Sequence, residues 1–157
     1  MTTTARPGWG RSHLPAITAP DPLEQAAVQQ TLNRYAFALD QHDLAALGDV
    51  LTADVTWQFT VADAVVLGPV TGRRAVLDFV GQSMSTQTDQ RRHHLTNVTV
   101  HDVQHDTAQA QAYLLMTSNA DGNPRTVATG FYSFGLQRTE DRWCITTLLL
   151  GMDNAEA

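Results

Sequence analysis

Two stretches of the chain carry side chains suited to proton transfer. In RYAFALDQHDLAAL, residues 34 to 47, Tyr35 sits within a helical pattern and Asp40 falls in its last turn. A carboxylate there faces the negative end of the helix dipole, so its charged form calls for a cationic or hydrogen-donating partner unless it simply faces solvent. In RRHHLTNVTV, residues 91 to 100, two adjacent histidines open a strand. Strict alternation sends them to opposite faces: His94 joins Thr96, Val98 and Val100, while His93 joins Leu95, Asn97 and Thr99. One of the two is expected to point inward. There it is either a hydrogen-bonded core histidine or, beside a carboxylate that orients it and stabilises its charged form, half of a general acid–base pair.

Other chemistries find less support. His93, His94, His101, Asp102, His105 and Asp106 crowd one region, but no HExxH or Cys–His framework is present. The 101–106 stretch reads as a polar turn, and no metal site is expected. No glycine-rich dinucleotide loop, phosphate-binding lysine loop or G-x-S-x-G elbow occurs, so nucleotide cofactors and serine hydrolysis have no sequence basis and no cofactor is expected.

The elements that must position Tyr35, Asp40 and a histidine are legible. Asp21 as N-cap, Pro22 at the first helical position and Glu24 three residues after the cap start a helix. Val28, Leu32, Tyr35 and Leu39 form its apolar stripe, and it ends near Gln41 and His42. Asp43 caps a short second helix from Leu44 to about Leu51. Residues 53–61 alternate as a strand with Val55, Trp57, Phe59 and Val61 on one face, and 65–67 are briefly extended before Gly68-Pro69. After Gly72, Val76, Leu77, Val80 and Met84 recur at helical spacing. Extended runs at 93–103, 108–118, 126–138 and 142–150, separated by turn-rich segments, make a bent antiparallel meander. Helices first and long strands last imply an α+β domain over residues 21–153. Residues 1–20, rich in Thr, Gly and Pro without a period, read as an irregular N-terminal arm; Trp9, Leu14 and Ile17 would also suit a strap across a pocket mouth or a partner subunit.

The whole chain, 157 residues with 43% apolar and 17% charged, suits one folded domain. Sixteen acidic against ten basic residues give a net charge of −6, and the basic residues are scattered, which argues against a nucleic-acid surface. No run approaches a membrane span or a secretory signal core. With Cys144 alone, no intramolecular disulfide can form, and a reducing cytoplasm is the expected compartment.

Taken in order, RYAFALDQHDLAAL, ADVTWQF, GRRAVLDFV, RRHHLTNVTV and GFYSFGLQRTEDRWCIT resemble the SnoaL-like family of the nuclear transport factor 2-like superfamily over about residues 23 to 152. The resemblance implies a cone-shaped α+β barrel, a curved antiparallel sheet wrapped by three N-terminal helices around a deep cavity. Members similar in ALDQHDL and HHLTN, the scytalone and bile-acid dehydratases and a dehydrochlorinase, use an Asp–His dyad for proton abstraction and elimination. Carried onto this chain, the aspartate falls on Asp40 and the histidine on His94, and the bile-acid enzyme's tyrosine falls on Tyr35. Ketosteroid isomerase is similar in the same helix, but its catalytic aspartate falls on Phe59, which disfavours that route. The last strand reads ITTLLLG where relatives often carry a polar group, so Leu148 implies a greasier cavity.

These readings converge on a cofactor-independent dehydratase, isomerase or cyclase for a hydrophobic polycyclic or polyketide-like molecule. Its cavity of about 300 Å³ or more is expected to be lined by Trp57, Phe59, Tyr132 and Leu148. Two alternatives stay open: a binding or assembly module without turnover, and a cyclase whose pocket mainly folds a reactive substrate. Apolar side chains on both faces of several strands, including FYSFGL, predict a homodimer through the outer face of the meander.

Overall fold

A computed structural model describes residues 21–62 and 65–154, so the expected arm at 1–20 lies outside the described residues. Helix α1 spans Pro22–Asp40, and the Asp21 carboxylate accepts from the backbone N–H of Leu23 at 2.8 Å and of Glu24 at 3.4 Å. It buries Val28, Thr31, Leu32, Tyr35, Ala36, Ala38 and Asp40. Helix α2 (Leu44–Asp49) is capped by Asp43, whose carboxylate accepts from Ala46 N–H at 2.9 Å. Strands β1 (Leu51–Val61) and β2 (Val65–Thr71) precede α3 (Arg73–Thr86), and β3 (Gln90–His101), β4 (Thr107–Asn119), β5 (Arg125–Thr139) and β6 (Arg142–Met152) complete the chain.

The expected α+β class, with a curved sheet and three helices, is what folds. The strand order is β2-β1-β6-β5-β4-β3, so the sheet stays open, with β2 and β3 at its edges. All neighbours are antiparallel except β1 and β6, which run parallel. The third helix lies between β2 and β3 rather than ahead of the sheet.

The core fills the side of the sheet that the helices cover. Val28 and Leu32 of α1 are fully buried, as are Tyr132, Phe134 and Ile145 of β5 and β6. Each such aliphatic side chain contributes about 1.5–3 kcal/mol by leaving water. Gly130 is required by close approach: a Cβ there would stand 2.1 Å from the Gly151 carbonyl oxygen across the β5–β6 pair.

Polar contacts tie α1 to the distant β5–β6 hairpin. Thr31 Oγ1 donates to the Trp143 carbonyl at 2.9 Å. The Glu24 carboxylate accepts from Trp143 Nε1 at 2.8 Å and Arg138 Nη2 at 2.7 Å, and the Arg138 guanidinium sits 4.5 Å from the centre of the Trp143 ring. The bonds from Trp143 and then Arg138 hold the Glu24 carboxyl below its ordinary 4.5. A carboxyl with a lowered folded-state pKa stabilises the fold above its unfolded value, and that contribution is lost as pH falls through the folded value. Glu24→Gln is therefore expected to lower the melting temperature by about 2 °C at neutral pH, since the pair is partly exposed. Melting curves of both proteins should converge below about pH 4.5.

Candidate active site

Asp40, the last residue of α1, and His93, near the start of β3, meet where the helix lies against the sheet edge. His93 Nδ1 stands 2.7 Å from Asp40 Oδ1, and the His93 backbone N–H donates to both carboxylate oxygens at 3.1 Å. Gln90 Nε2 adds a bond to the Asp40 carbonyl at 3.0 Å. The two side chains are only 15% and 8% exposed. Asp40 thus obtains the donors that its place at the negative end of a helix dipole demands. An ionised carboxylate only accepts, so the imidazole Nδ1 carries the hydrogen in this contact. His93 Nε2 then has no hydrogen-bond partner among the described residues and, in the neutral ring, offers its lone pair.

This pairing corrects the sequence expectation, which put His94 on Asp40. His94 lies opposite Leu115 on the outer sheet face, exposed, with Nε2 3.3 Å from Thr117 Oγ1. The cause is a bulge. Thr96 faces Tyr113 and Thr99 faces Gln111, so Asn97 and Val98 together oppose Ala112. Asn97 takes φ 52°, a left-handed conformation that asparagine tolerates better than most residues. The extra residue resets the alternation. Before it His93 and Leu95 point inward with Met116 and Leu114; after it Val100 points inward with Ala110. Alternation alone left both histidines open, and the family resemblance, carried onto the chain, fell on the outward one.

Tyr35 is buried on the helix face toward the sheet. Its ring meets Tyr132 edge-on at 5.9 Å and Phe134 at 6.0 Å. Burial pushes its phenol up to about 12, although neighbouring Tyr132 and Trp57 draw it down in part. Trp57, Phe59, Tyr132 and Leu148 share this covered side, with Leu148 paired across strands to both Trp57 and Phe134. Trp57 stacks near Phe59 at 6.0 Å and meets the Phe79 ring at a 43° tilt, 4.9 Å away. Tyr132, Trp57 and Leu148 are buried, whereas Phe59, Leu95, Val98 and Leu150 remain half-buried.

Trp57, Phe59, Tyr132 and Leu148 do not together line either of two cavities found among the described residues. Tyr35, Tyr132 and Phe134 pack against one another on that side of the sheet. The cavity touching Asp40 and His93 is a groove of about 270 Å³ between α1 and β3, lined by Asn33, Ala36, Phe37, Asp40, Arg92, His93, His94 and Leu95. Phe37, 69% exposed, forms part of its wall. The second cavity, about 240 Å³, lies against the sheet's outer side chains Gln58, Gln109, Ser133 and Leu149. Among the described residues no three His, Cys, Asp or Glu side chains are grouped to hold a metal ion, and no helix is long and apolar enough to cross a membrane.

Sequence reasoning missed the anchor just ahead of His93. The Ser118 hydroxyl donates a short hydrogen bond to Asp89, and Arg91 Nε lies 3.3 Å from both Asp89 oxygens. The Ser118 bond first, and the Arg91 charge after it, hold the Asp89 carboxyl below its ordinary range. Only the proximity of Asp89 and Arg91 in the chain hinted at this contact; Ser118 arrives through the β3–β4 register.

The model of the SnoaL-like domain matches residues 22–148. No curated protein matches the sequence significantly. Among solved structures, a provisionally assigned aromatic ring hydroxylase from Novosphingobium aromaticivorans is 30% identical, with a TM-score of 0.70 over 87% of this chain and 93% of its own. A Catenulispora acidiphila protein solved in complex with S-DNPA is 22% identical, with a TM-score of 0.73 over 85% and 96% of the two chains. The β subunit of a provisionally assigned aromatic-ring-hydroxylating dioxygenase, also from N. aromaticivorans, is 16% identical, with a TM-score of 0.72 over 85% and 92%.

Proposed function

The chain belongs to the SnoaL-like family, and from that premise we propose that it is an acid–base enzyme acting on a hydrophobic, ring-containing small molecule, with Asp40 and His93 as its proton-transfer pair. One observation carries this reading: the 2.7 Å contact of His93 Nδ1 with Asp40, which leaves Nε2 as the free base. In the proposed step Nε2 takes a proton from the carbon next to a carbonyl, and the C–H electron pair moves into the carbonyl to give an enolate. Asp40 stabilises the imidazolium that forms, and Tyr35 donates a hydrogen bond to the enolate oxygen. The imidazolium then returns the proton to a different atom, completing an isomerisation, or gives it to a departing hydroxyl, completing a dehydration. General acid–base help supplies about 10²- to 10⁴-fold and oxyanion stabilisation about 10²- to 10³-fold, enough for an already activated substrate.

A minimal substrate tests the reading without knowledge of the natural one. 2-Tetralone, a bicyclic ketone with acidic C–H bonds, should exchange its C1 hydrogens for deuterium in D₂O faster with the protein than with buffer alone. An exchange rate equal to that of buffer would overturn the acid–base assignment.

A second reading, an assembly module, draws on the outer sheet face. Tyr113 is 61% exposed there, beside Leu115, half-buried Phe131 and Leu149. The likeness to a dioxygenase β subunit fits such a role. We expect this face to pair two copies of the chain, and light scattering at micromolar concentration to give twice the monomer mass of 17.2 kDa. Tyr113→Arg should yield monomers; a monomeric parent protein would reject the pairing.

A further inference from the structure

The groove beside Asp40 and His93 runs along a free edge of the sheet, since β3 is an edge strand. A groove at an edge receives side chains from both faces of its strand. His93 and Leu95 enter it from the covered face, Arg92 and His94 from the outer one. Across from them α1 presents Asn33, Phe37 and Asp40, one face of the helix at spacings of four and three.

These walls differ in chemistry. Phe37 is 69% exposed and, with Ala36 and Leu95, offers apolar surface on which a flat ring can rest. Asp40 is the one acidic residue lining the groove, and its oxygens are taken by the backbone N–H and Nδ1 of His93. The two neighbouring arginines are not alike. Arg91 lies 3.3 Å from the Asp89 carboxylate, which answers its charge. Arg92 donates to the Arg91 carbonyl at 3.2 Å and meets no carboxylate within ion-pair distance among the described residues. Asn33 adds a neutral amide that also donates. The groove thus holds a guanidinium with unused donors, one residue along the strand from the acid–base histidine.

We infer that Arg92 determines specificity by binding a carboxylate on the substrate, at the end of the molecule away from the carbon that gives its proton to His93. This rests on the acid–base reading above and narrows its substrate class to a flat ring ketone bearing one carboxylate. A guanidinium presents paired N–H donors in the plane that two carboxylate oxygens match, and a single cation suits one negative charge better than a phosphate dianion. The chain's net charge of −6 gives an anion no long-range attraction, so recognition depends on this contact and weakens in high salt.

Two fluorescent ligands of one shape test this by titration at pH 7. 2-Naphthol, the aromatic counterpart of the 2-tetralone enol, is uncharged; 6-hydroxy-2-naphthoate adds a carboxylate on the far ring. The wild type is expected to bind the naphthoate about 10-fold more tightly than 2-naphthol, as suits a charge-assisted pair that stays partly in water. Arg92→Gln should bring that ratio to about one, and Arg92→Lys, which keeps the charge without the fork, should fall between. Because a ratio is read, a general loosening of the groove leaves it unmoved. In exchange of 6-carboxy-2-tetralone, Arg92→Gln should raise KM about 10-fold with a much smaller change in kcat. A wild type that binds neither ligand or binds both equally, or an Arg92→Gln protein that keeps the preference, would overturn the inference. Preference for the naphthoate without exchange of 2-tetralone would remove the acid–base pair and keep the anion site; exchange without the preference would remove the anion site alone.

Discussion

Replacing His93 by alanine is expected to slow deuterium exchange into 2-tetralone by about 10²- to 10⁴-fold, the range that a positioned general base contributes. His94→Ala should slow exchange far less, since His94 makes no contact with Asp40 and its Nε2 lies 3.3 Å from Thr117 Oγ1, although it lines the same groove. Binding of 2-naphthol should survive in both variants, because proton transfer is needed only on the way to the transition state. Stopped exchange measured by proton NMR gives both rates under one condition. A slow His94→Ala protein beside a fast His93→Ala protein would restore His94, the histidine that the family resemblance selects.

Asp40 should show the other large effect, and its two substitutions should separate its two tasks. Asp40→Asn keeps an acceptor oxygen for one of the His93 donors but no charge to stabilise an imidazolium, so exchange is expected to fall about 10²-fold or more with a small change in stability. Asp40→Ala leaves both the His93 backbone N–H and Nδ1–H without their acceptor and unties α1 from the edge of the sheet. An unpaired buried donor costs about 1–3 kcal/mol. A domain of this size loses about 2–4 °C for each kcal/mol, so a melting temperature about 5–10 °C lower is expected for the alanine variant. Thermal melts set beside exchange rates separate the outcomes. If Asp40→Asn exchanged at the wild-type rate, Asp40 would be a clamp between α1 and β3 and nothing more.

The residues explain which parts of this architecture could be read in advance. Asp21-Pro22 and Asp43 mark helix starts because a side chain capping orphan N–H groups is a local event, and both helices begin where those caps put them. The strands of the meander follow from alternation and turn residues, again within a few positions of each other in the chain. The partner of Asp40 was legible only as a pair of histidines. Choosing between them required the bulge at Asn97, and asparagine within the otherwise β-branched run from Thr96 to Val100 was the one signal available for it. The parallel pairing of β1 with β6 joins segments at opposite ends of the domain, and no turn chemistry encodes it. Glu24 meets Arg138 and Trp143 across more than a hundred residues, so only the folded sheet brings them together. Tyr132 was expected among the cavity-lining residues, but its packing against Tyr35 and Phe134 is a long-range property that periodicity does not carry.

The acid–base account stands on which nitrogen of His93 holds the hydrogen. In uniformly ¹⁵N-labelled protein near pH 8, two-bond nitrogen–proton spectra distinguish the two neutral tautomers of each imidazole. The account predicts that His93 carries its hydrogen on Nδ1, bonded to Asp40, and that adding 2-naphthol shifts the bare Nε2 of His93. A His93 with its hydrogen on Nε2, or a naphthol-induced shift confined to His94, would contradict it.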